Sequence, residues 1–421
     1  MSLIRTSLLN SIAVGVRILT MLILNKILAI QVGPSGYAVI GQFQNFVTAL
    51  STFASGAVNT GVTKYTAEHF DDEARQTAIW RTAGTITLIG SVAVGLVIAV
   101  LHRSLAGWIL KDVSLAGVFI WLGAGLVLFS LNTLLIAILN GKKEVNRYVV
   151  VNIAGSLVGL IVTGGFAFWG GLYGALVALS INQSIVFFIT LALCWRTSWF
   201  HLRNLAGRLD PVALRALGKF TLMALTSAIC VPVSQILIRD HMGASFGWDT
   251  AGHWEAMMRI SSLYLMVVTT PLAVYYLPRI SEIRDHVELK QEILHGYRLI
   301  LPVAAVGALS IYLLRDWLVI ALFTTDFSPM RDLFAWQVMG DIAKIGSWLL
   351  GYVLLGKAMV KAFMIVEVIF SASWVCLVFL MTGWFGVIGA QMAYFSNYIA
   401  YWIVVAILVV RKMTYEGLHQ P

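Results

Sequence analysis

Runs of about 20 apolar residues recur along the whole chain, and they restrict what it can fold into. A helix of that length crosses the roughly 30 Å hydrocarbon core of a bilayer. Because lipid offers no hydrogen-bond partners, a spanning segment must satisfy its own backbone groups, which favours helices. The runs therefore predict an all-α polytopic membrane protein with twelve transmembrane helices. They cover residues 8–31, 37–62, 79–101, 113–139, 148–169, 172–195, 220–238, 255–277, 297–322, 333–355, 362–382 and 386–410.

Composition argues against several classes of protein. Hydrophobic residues make up 59% of the 421 residues and charged residues only 12%, about half the charged fraction of a soluble domain. The net charge of +9 is spread over short segments between the apolar runs, so we expect no nucleic-acid partner. The cysteines and histidines lack metal-ligand spacing, and there is no nucleotide-binding glycine loop. We therefore predict no metal site, no cofactor and no catalytic residues, and we expect transport driven by an ion or substrate gradient.

The distribution of basic residues predicts the orientation of the chain. If both termini are cytoplasmic, 20 of the 29 lysines and arginines face the cytoplasm and 6 face the other side. Positive charge is enriched in cytoplasmic loops, so this orientation is the expected one. The longest cytoplasmic segment, 196–219, divides an N-lobe (1–195) from a C-lobe (220–421). Within that segment Asp210 and Pro211 are typical of a helix start and predict a short interfacial helix.

The two halves of the sequence resemble each other in a fixed order. Matching stretches fall between corresponding apolar runs, with offsets of 211 or 215 residues. The pairs are GQFQN (41–45) with GHWEA (252–256), NGKKEVNRY (140–148) with LGKAMVKAF (355–363), and GLYGALVALSIN (171–182) with GVIGAQMAYFSN (386–397). Six runs separate the copies, so both halves enter the membrane in the same direction. The pattern predicts two six-helix lobes related by a parallel repeat, an architecture found among secondary transporters.

Charged residues within apolar runs are candidate functional groups, because a charge in lipid is costly. Arg17 lies near the middle of the first run and cannot lose its proton, so it is a candidate anion ligand or a structural tie to another helix. Lys26 lies nine residues further on, on the opposite side of an ideal helix and near its outer end.

Two acidic residues inside the last three runs could titrate during transport. Asp341 and Lys344 share one helix face and are predicted to reach each other, either as a structural ion pair or as a switch. In the switch, an anion or a proton competes for one partner and releases the other. Glu367 is either a proton site or a partner of a nearby lysine. The repeat places no charged counterpart of Asp341 or Lys344 in the first half.

A weaker signal is a stripe of polar and small residues in the second run. Its members recur at spacings of three or four and would form one helix face. Such a face meets either a packed helix or a wet cavity, and the polar residues at both ends favour the cavity. The members are Gln42, Asn45, Ala49, Thr52, Gly56 and Asn59, of which Gln42, Asn45 and Asn59 are candidate substrate-binding residues.

Five stretches together resemble the Wzx-type lipid-linked oligosaccharide flippases, in the polysaccharide-transport branch of the MOP exporter superfamily. Enterobacterial lipid III and O-antigen flippases are the most similar members. The resemblance covers essentially the whole chain. The stretches are GPSGYAVIGQFQNFVTAL (33–50), NTGVTKYTAEHFDD (59–72), KFTLMAL (219–225), LLRDW (313–317) and MRDLFAWQVMGDIAKIG (330–346).

The resemblance implies a MATE-like architecture, two six-helix lobes around a central cavity. It implies that an undecaprenyl-diphosphate-linked oligosaccharide moves from the cytoplasmic to the periplasmic leaflet of the bacterial inner membrane by alternating access, coupled to H⁺ or Na⁺. The family's cationic cavity would map onto Arg17, Lys26 and Lys344, and its acidic position onto Asp341. Glu367 is a second candidate for proton coupling. The expected partners are the lipid bilayer and the polymerase and chain-length regulator of the same pathway.

Two other functions remain open at the level of sequence. A multidrug or organic-ion antiporter of the same superfamily would favour cationic substrates and need an accessible acidic site. A polysaccharide polymerase, which is an enzyme, would carry long periplasmic loops, whereas the longest outer segment here, 239–254, is short.

Overall fold

A computed structural model of the chain describes residues 3–272, 276–283, 285–357 and 359–418, and within these ranges the structure is almost entirely helical, with no strand. The predicted all-α class is thus confirmed. Seven helical segments of this described part are long and apolar enough to cross a membrane. Two of the seven, α1 and α5, contain a break, and a third combines α12 with α13. The number of twelve spans stays a prediction.

The chain divides into two compact units, Met1–Val233 and Ser234–Pro421. The division lies within α6 (Pro211–Phe246), next to Pro232. The lobe boundaries read from the sequence, at 195 and 219, stay predictions. The other helices of the first unit are α1 (Leu3–Ala54), α2 (Asn59–Glu68), α3 (Glu73–Leu105), α4 (Gly117–Gly141) and α5 (Val145–Trp195). The other helices of the second unit are α7 (Trp248–Pro271), α8 (Leu277–Glu282), α9 (His286–Leu313), α10 (Arg315–Leu322), α11 (Phe334–Gly356), α12 (Val360–Phe385) and α13 (Gly389–Leu418).

Large apolar side chains project outward from the long helices. Val100, Ile161 and Trp169 are 78%, 71% and 84% exposed. Contiguous apolar surface of this kind is rare on soluble monomers, whereas in a bilayer it meets a solvent of its own polarity. The helices therefore bury their small and polar faces against each other and turn their greasy faces to lipid.

The repeat predicted from the sequence is visible in the backbone. Gly171 breaks α5 with φ 53° and ψ −135°, and Gly386, its counterpart 215 residues on, separates α12 from α13 with φ 63° and ψ −147°. A side chain at such positive φ costs about 1–2 kcal/mol, so glycine suits both positions. Each unit thus joins its last two long helices by the same glycine turn, as the matching stretches at 171–182 and 386–397 predicted.

The single helix predicted over 37–62 is wrong. α1 has non-helical dihedrals at Gly33 and ends at Ala54. Gly56 and Ala57 then adopt positive φ, and α2 begins at Asn59. The carbonyl of Ala54 also packs on Gly90 of α3, where an added Cβ would lie 2.4 Å from that oxygen. The polar stripe is consequently split, because Asn59 belongs to a different helix from Gln42 and Asn45.

The start of the predicted interfacial helix is confirmed, but its length is wrong. The Asp210 carboxylate accepts hydrogen bonds from the backbone N–H groups of Val212 and Ala213, both at 2.8 Å. This is the capping interaction that satisfies free amides at a helix start. From Pro211 the helix continues without interruption to Phe246, because a lone glycine at 218 does not break a helix.

Candidate functional site

A cavity of about 290 Å³ opens inside the first unit, and Arg17 is part of its wall. The wall is built from α1, α4 and both halves of α5. Arg17 is the one charged side chain among the described residues that line it. The polar lining consists of Arg17, Thr20, Asn152, Ser156, Asn182 and Gln183.

Helical spacing and two glycines shape this cavity. Asn152 and Ser156 stand one turn apart on the first half of α5, so they share a face. Gly159 follows on that face, and an added Cβ there would lie 3.1 Å from the Asn182 Nδ2. The glycine therefore lets the second half of α5 approach and leaves room at the floor of the cavity.

The structure does not gather the other candidates of the first half around Arg17. Lys26 is half-buried on α1 and lies outside the lining of the cavity. Gln42 is fully buried, which fits a packed helix face rather than the wet cavity favoured by its pattern, and Asn45 is half-buried. Asn59 lines a separate, more apolar cavity of about 470 Å³, and its side-chain oxygen is buried without a hydrogen-bond partner.

Asp341 lies in the interior of the second unit, only 1% exposed. Its Oδ1 accepts hydrogen bonds from the Ser261 hydroxyl at 2.7 Å and the Tyr394 hydroxyl at 2.9 Å. The amide of Gln337 donates to the same oxygen at 3.1 Å, and the Tyr264 hydroxyl donates to Oδ2 at 2.5 Å. Four donors from α7, α11 and α13 thus satisfy a carboxylate that burial would otherwise destabilise.

Lys344 occupies an aromatic cluster instead of pairing with Asp341. Its Nζ lies 5.0 Å from the ring centre of Trp348, 5.3 Å from Tyr398 and 5.7 Å from Tyr394. Ammonium groups are attracted to aromatic faces at these distances. No ion pair joins Asp341 to Lys344 in the described part of the chain, so the predicted direct contact is wrong. The reason is that each charge finds better partners on neighbouring helices.

Glu367 is the third ionisable group in this part of the second unit. It lies half-buried on α12, near enough for its carboxylate and the Lys344 ammonium to interact electrostatically. Tyr394 links the neighbouring groups, because its hydroxyl binds Asp341 while its ring packs beside Lys344.

A second buried charge cluster was missed by the sequence reasoning. Arg239 of α6 is fully buried, and its Nη2 lies 2.5 Å from Oε2 of Glu255 on α7. The other oxygen, Oε1, accepts from Nε of Arg259 at 2.9 Å. The spacing of Glu255 and Arg259 by four residues was a signal for their pairing, but the partner on α6 required the tertiary structure.

Other functional candidates also escaped the sequence reasoning. Ser261, Tyr264 and Tyr394 were not singled out, although Tyr394, Tyr398 and Tyr401 recur at helical spacing on α13. No group of three or more His, Cys, Asp or Glu side chains in the described ranges could hold a metal ion.

Comparison with known proteins places this architecture in a family. A family model described as "Polysaccharide biosynthesis protein" matches residues 27–332. The chain belongs to this polysaccharide biosynthesis protein family. A relative named "Lipid III flippase", from Escherichia coli K12, is 29% identical over 405 residues, which cover 95% of this chain and 96% of the relative. The family resemblance read from the sequence is confirmed.

Solved structures of transporters share the fold of this polysaccharide biosynthesis protein. A multidrug resistance MATE family transporter of the MOP superfamily, in an inward-facing conformation, matches with a TM-score of 0.81 at 15% identity, over 96% of both chains. A MOP superfamily transporter from Pyrococcus furiosus, described as having a binding pocket of reverse polarity, matches with a TM-score of 0.73 at 16% identity, over 98% and 95% of the two chains. The predicted MATE-like fold class is confirmed.

Proposed function

We propose that this protein is a flippase that moves a lipid-linked oligosaccharide between the two leaflets of a membrane. It is a multi-pass membrane transporter and not an enzyme. Support comes from the relative named lipid III flippase, which aligns with nearly the full length of both chains, and from the fold shared with MATE transporters.

The observation that carries the proposal is Arg17 in the wall of a polar cavity. Arginine stays charged at all physiological pH values, and its planar fork suits a phosphate oxygen pair. The described lining of this cavity offers no carboxylate to attract a cationic drug. The cavity therefore favours an anionic substrate, and a polyprenyl diphosphate is the anionic part of a lipid-linked oligosaccharide.

The side chains then have separate tasks in transport. Arg17 binds and orients the diphosphate, with Lys26 and Lys344 as further cationic candidates. The glycan is held by polar groups, for which Gln42, Asn45 and Asn59 were the first candidates. The lipid tail stays in the bilayer, where its hydrocarbon needs no protein cover. Alternate exposure of the bound headgroup to the two sides of the membrane completes the movement.

Several finer points are part of the proposal. The lipid is undecaprenyl diphosphate, carrying a lipid III or O-antigen unit, and it moves from the cytoplasmic to the periplasmic leaflet. The protein lies in the bacterial inner membrane with both termini in the cytoplasm, in keeping with the excess of basic residues on that side. The partners are the polymerase and the chain-length regulator that act on the translocated unit.

Coupling to H⁺ or Na⁺ completes the mechanism, with Asp341 and Glu367 as candidates. Asp341 is already satisfied by four donors, so Glu367, which is half-buried and close to Lys344, is the better first test. In liposomes we expect Glu367→Gln to abolish the acceleration of transport by an ion gradient while leaving downhill exchange intact. The control is Glu73→Gln, at an exposed position of α3. Equal acceleration in both variants would remove Glu367 from the mechanism.

The proposed function is tested directly by reconstitution. The protein is placed in liposomes with a fluorescent polyprenyl-diphosphate oligosaccharide, and glycan accessibility on the opposite face is followed over time. We expect wild type to move the lipid and Arg17→Ala to bind it about 10- to 100-fold more weakly, since charge-assisted hydrogen bonds contribute about 1.5–3 kcal/mol. Arg103→Ala, at an exposed position near the end of α3, is the control. Absence of transport by wild type, with or without a proton gradient, would contradict the proposal.

The MATE fold keeps one second function in view, the export of organic cations. Solved multidrug MATE transporters share the fold of this chain. An assay of drug resistance and ethidium efflux in cells expressing the chain separates the two functions. Ethidium efflux without glycolipid transport would favour the antiporter.

A further inference from the structure

The cavity beside Arg17 presents hydrogen-bond acceptors as well as donors. The Asn152 Nδ2 donates to the backbone carbonyl of Tyr148 at 2.8 Å. This bond turns the Asn152 side-chain oxygen into the end that can accept from a ligand. On the second half of α5, the side-chain oxygen of Asn182 is buried and has no hydrogen-bond partner. A buried acceptor without a partner costs about 1–3 kcal/mol, which a bound donor would recover.

A chain of hydrogen bonds orients the amide of Gln183 in the opposite sense. The Thr190 hydroxyl donates to the Asn132 Oδ1 at 2.6 Å, so the Asn132 amide nitrogen is the group that points to Gln183. That nitrogen donates to the Gln183 Oε1 at 2.8 Å. The Gln183 amide nitrogen, which lines the cavity, is therefore left to donate to a ligand.

We propose that this cavity is a sugar-binding subsite that holds one pyranose ring, the ring attached to the diphosphate bound at Arg17. The inference rests on the proposed function and adds the part of the substrate that the cavity reads. A phosphate oxygen only accepts hydrogen bonds, so the oxygens of Asn152 and Asn182 would repel it. A sugar hydroxyl donates and accepts at once, which matches a wall of mixed polarity.

The size of the cavity agrees with a single ring. Its volume of about 290 Å³ is at the lower limit of ligand pockets, which begin at about 300 Å³. The whole oligosaccharide does not fit in that space, so the remaining sugars lie outside the subsite. Specificity for the first sugar can thus be separated from the length and branching of the glycan.

The repeat supplies an internal comparison for this subsite. Asn152, Asn182 and Gln183 correspond, 215 residues on, to Glu367, Asn397 and Tyr398. In the second unit, Glu367 and Tyr398 lie beside the ammonium of Lys344, and the side-chain oxygen of Asn397 is again buried without a partner. The same positions thus surround a built-in cation in one unit and line an open polar cavity in the other.

The test compares two lipids on one protein. Purified protein in nanodiscs is titrated with undecaprenyl diphosphate and with the same lipid carrying one N-acetylglucosamine. We expect wild type to bind the sugar-bearing lipid about 10-fold more tightly, as two or three neutral hydrogen bonds would give. Asn182→Ala and Gln183→Ala should each lose most of this preference while binding the bare lipid as wild type does. Asn146→Ala, an exposed asparagine at the start of the same helix, should keep the preference.

Each outcome bears on the inference in a defined way. Equal affinity of wild type for the two lipids overturns the sugar subsite but leaves the flippase and its diphosphate site standing. A full preference retained by both variants removes the subsite from this cavity. Failure of wild type to bind either lipid refutes the proposed function and the subsite with it. Binding of the bare lipid by each variant shows that it is folded, and the comparison on wild type needs no variant at all.

Discussion

Asp341 and Lys344 are three residues apart on one helix, yet their side chains serve different surroundings. The carboxylate takes hydroxyl and amide donors, two of them from residues 80 and 53 positions away. The ammonium takes aromatic faces. In a membrane interior a neutral hydroxyl satisfies a carboxylate without burying a second charge, so spacing along a helix is a weak guide to ion pairing there.

Removal of the Asp341 carboxylate should destabilise the second unit. In Asp341→Ala the hydroxyls of Ser261, Tyr264 and Tyr394 lose their acceptor inside the protein. Each buried donor left without a partner costs about 1–3 kcal/mol, so we expect a clearly lower thermal unfolding midpoint in detergent. Asp332→Ala, an exposed aspartate before α11, should unfold like wild type. An unchanged midpoint for Asp341→Ala would show that these hydrogen bonds add nothing to stability.

The buried carboxylate of Glu255 should matter more than any exposed one. It is shared by two arginines, so Glu255→Gln leaves Arg239 buried with no opposite charge from that side. Breaking a buried pair in this way costs about 3–5 kcal/mol. Thermal unfolding of Glu255→Gln beside Glu282→Gln, an exposed glutamate of α8, measures the difference. Similar midpoints for the two variants would contradict this prediction.

Among the helices, composition and glycine pattern predicted most of what forms, and local backbone chemistry decided the rest. The breaks after α5 and α12 follow from stretches that match each other in the sequence. The end of α1 at Ala54 was missed, because Gly56 reads as one small residue in an apolar run and its positive φ is a tertiary outcome. The continuity of α6 was missed for a similar reason, since Asp210 marks a start but nothing in the sequence marks a stop before 246.

The glycines of the two repeated turns should differ in tolerance in the same way in both units. At Gly171 and Gly386 an added Cβ meets no atom within 4 Å, so alanine costs only backbone strain of about 1–2 kcal/mol. At Gly174 and Gly389 the Cβ would lie 2.0 Å and 2.3 Å from backbone oxygens of the preceding helix, so alanine must push the two helices apart.

Thermal unfolding of the four alanine variants checks this order. We expect Gly174→Ala and Gly389→Ala to lower the midpoint more than Gly171→Ala and Gly386→Ala. Gly383→Ala, a helical position of α12 with open space around it, should be neutral or slightly stabilising. Any other ranking would mean that the turns do not have these backbone contacts.

For the whole molecule, the sequence predicted the solvent, the class and the internal duplication, because these depend on average properties of long segments. It did not predict the cavity beside Arg17. Asn152, Asn182 and Gln183 are common polar residues whose meaning depends on which helix faces which. Arg17 was predictable because a permanent charge in an apolar run is rare, and such outliers are what one sequence can reveal.

Orientation is the prediction that belongs to the whole molecule. In a chain without its three native cysteines, His201→Cys lies between α5 and α6 and Ser114→Cys lies between α3 and α4, both exposed. With both termini in the cytoplasm, a membrane-impermeant maleimide added to intact spheroplasts should label Ser114→Cys and spare His201→Cys. Permeabilised cells should show both labelled. The reverse pattern in intact spheroplasts would invert the topology.

The paired cavities have an evolutionary consequence. A duplicated chain carries two copies of one ancestral pocket, and here one copy holds a lysine of its own while the other stays open. Selection for a new surface polysaccharide can then act on the open copy without disturbing the charges around Lys344. Strains that differ in the first sugar of their glycan should differ at Asn152, Asn182 and Gln183 more often than at Tyr394 and Tyr398. The two halves of one gene would in this way behave as paralogues that have divided an inherited task.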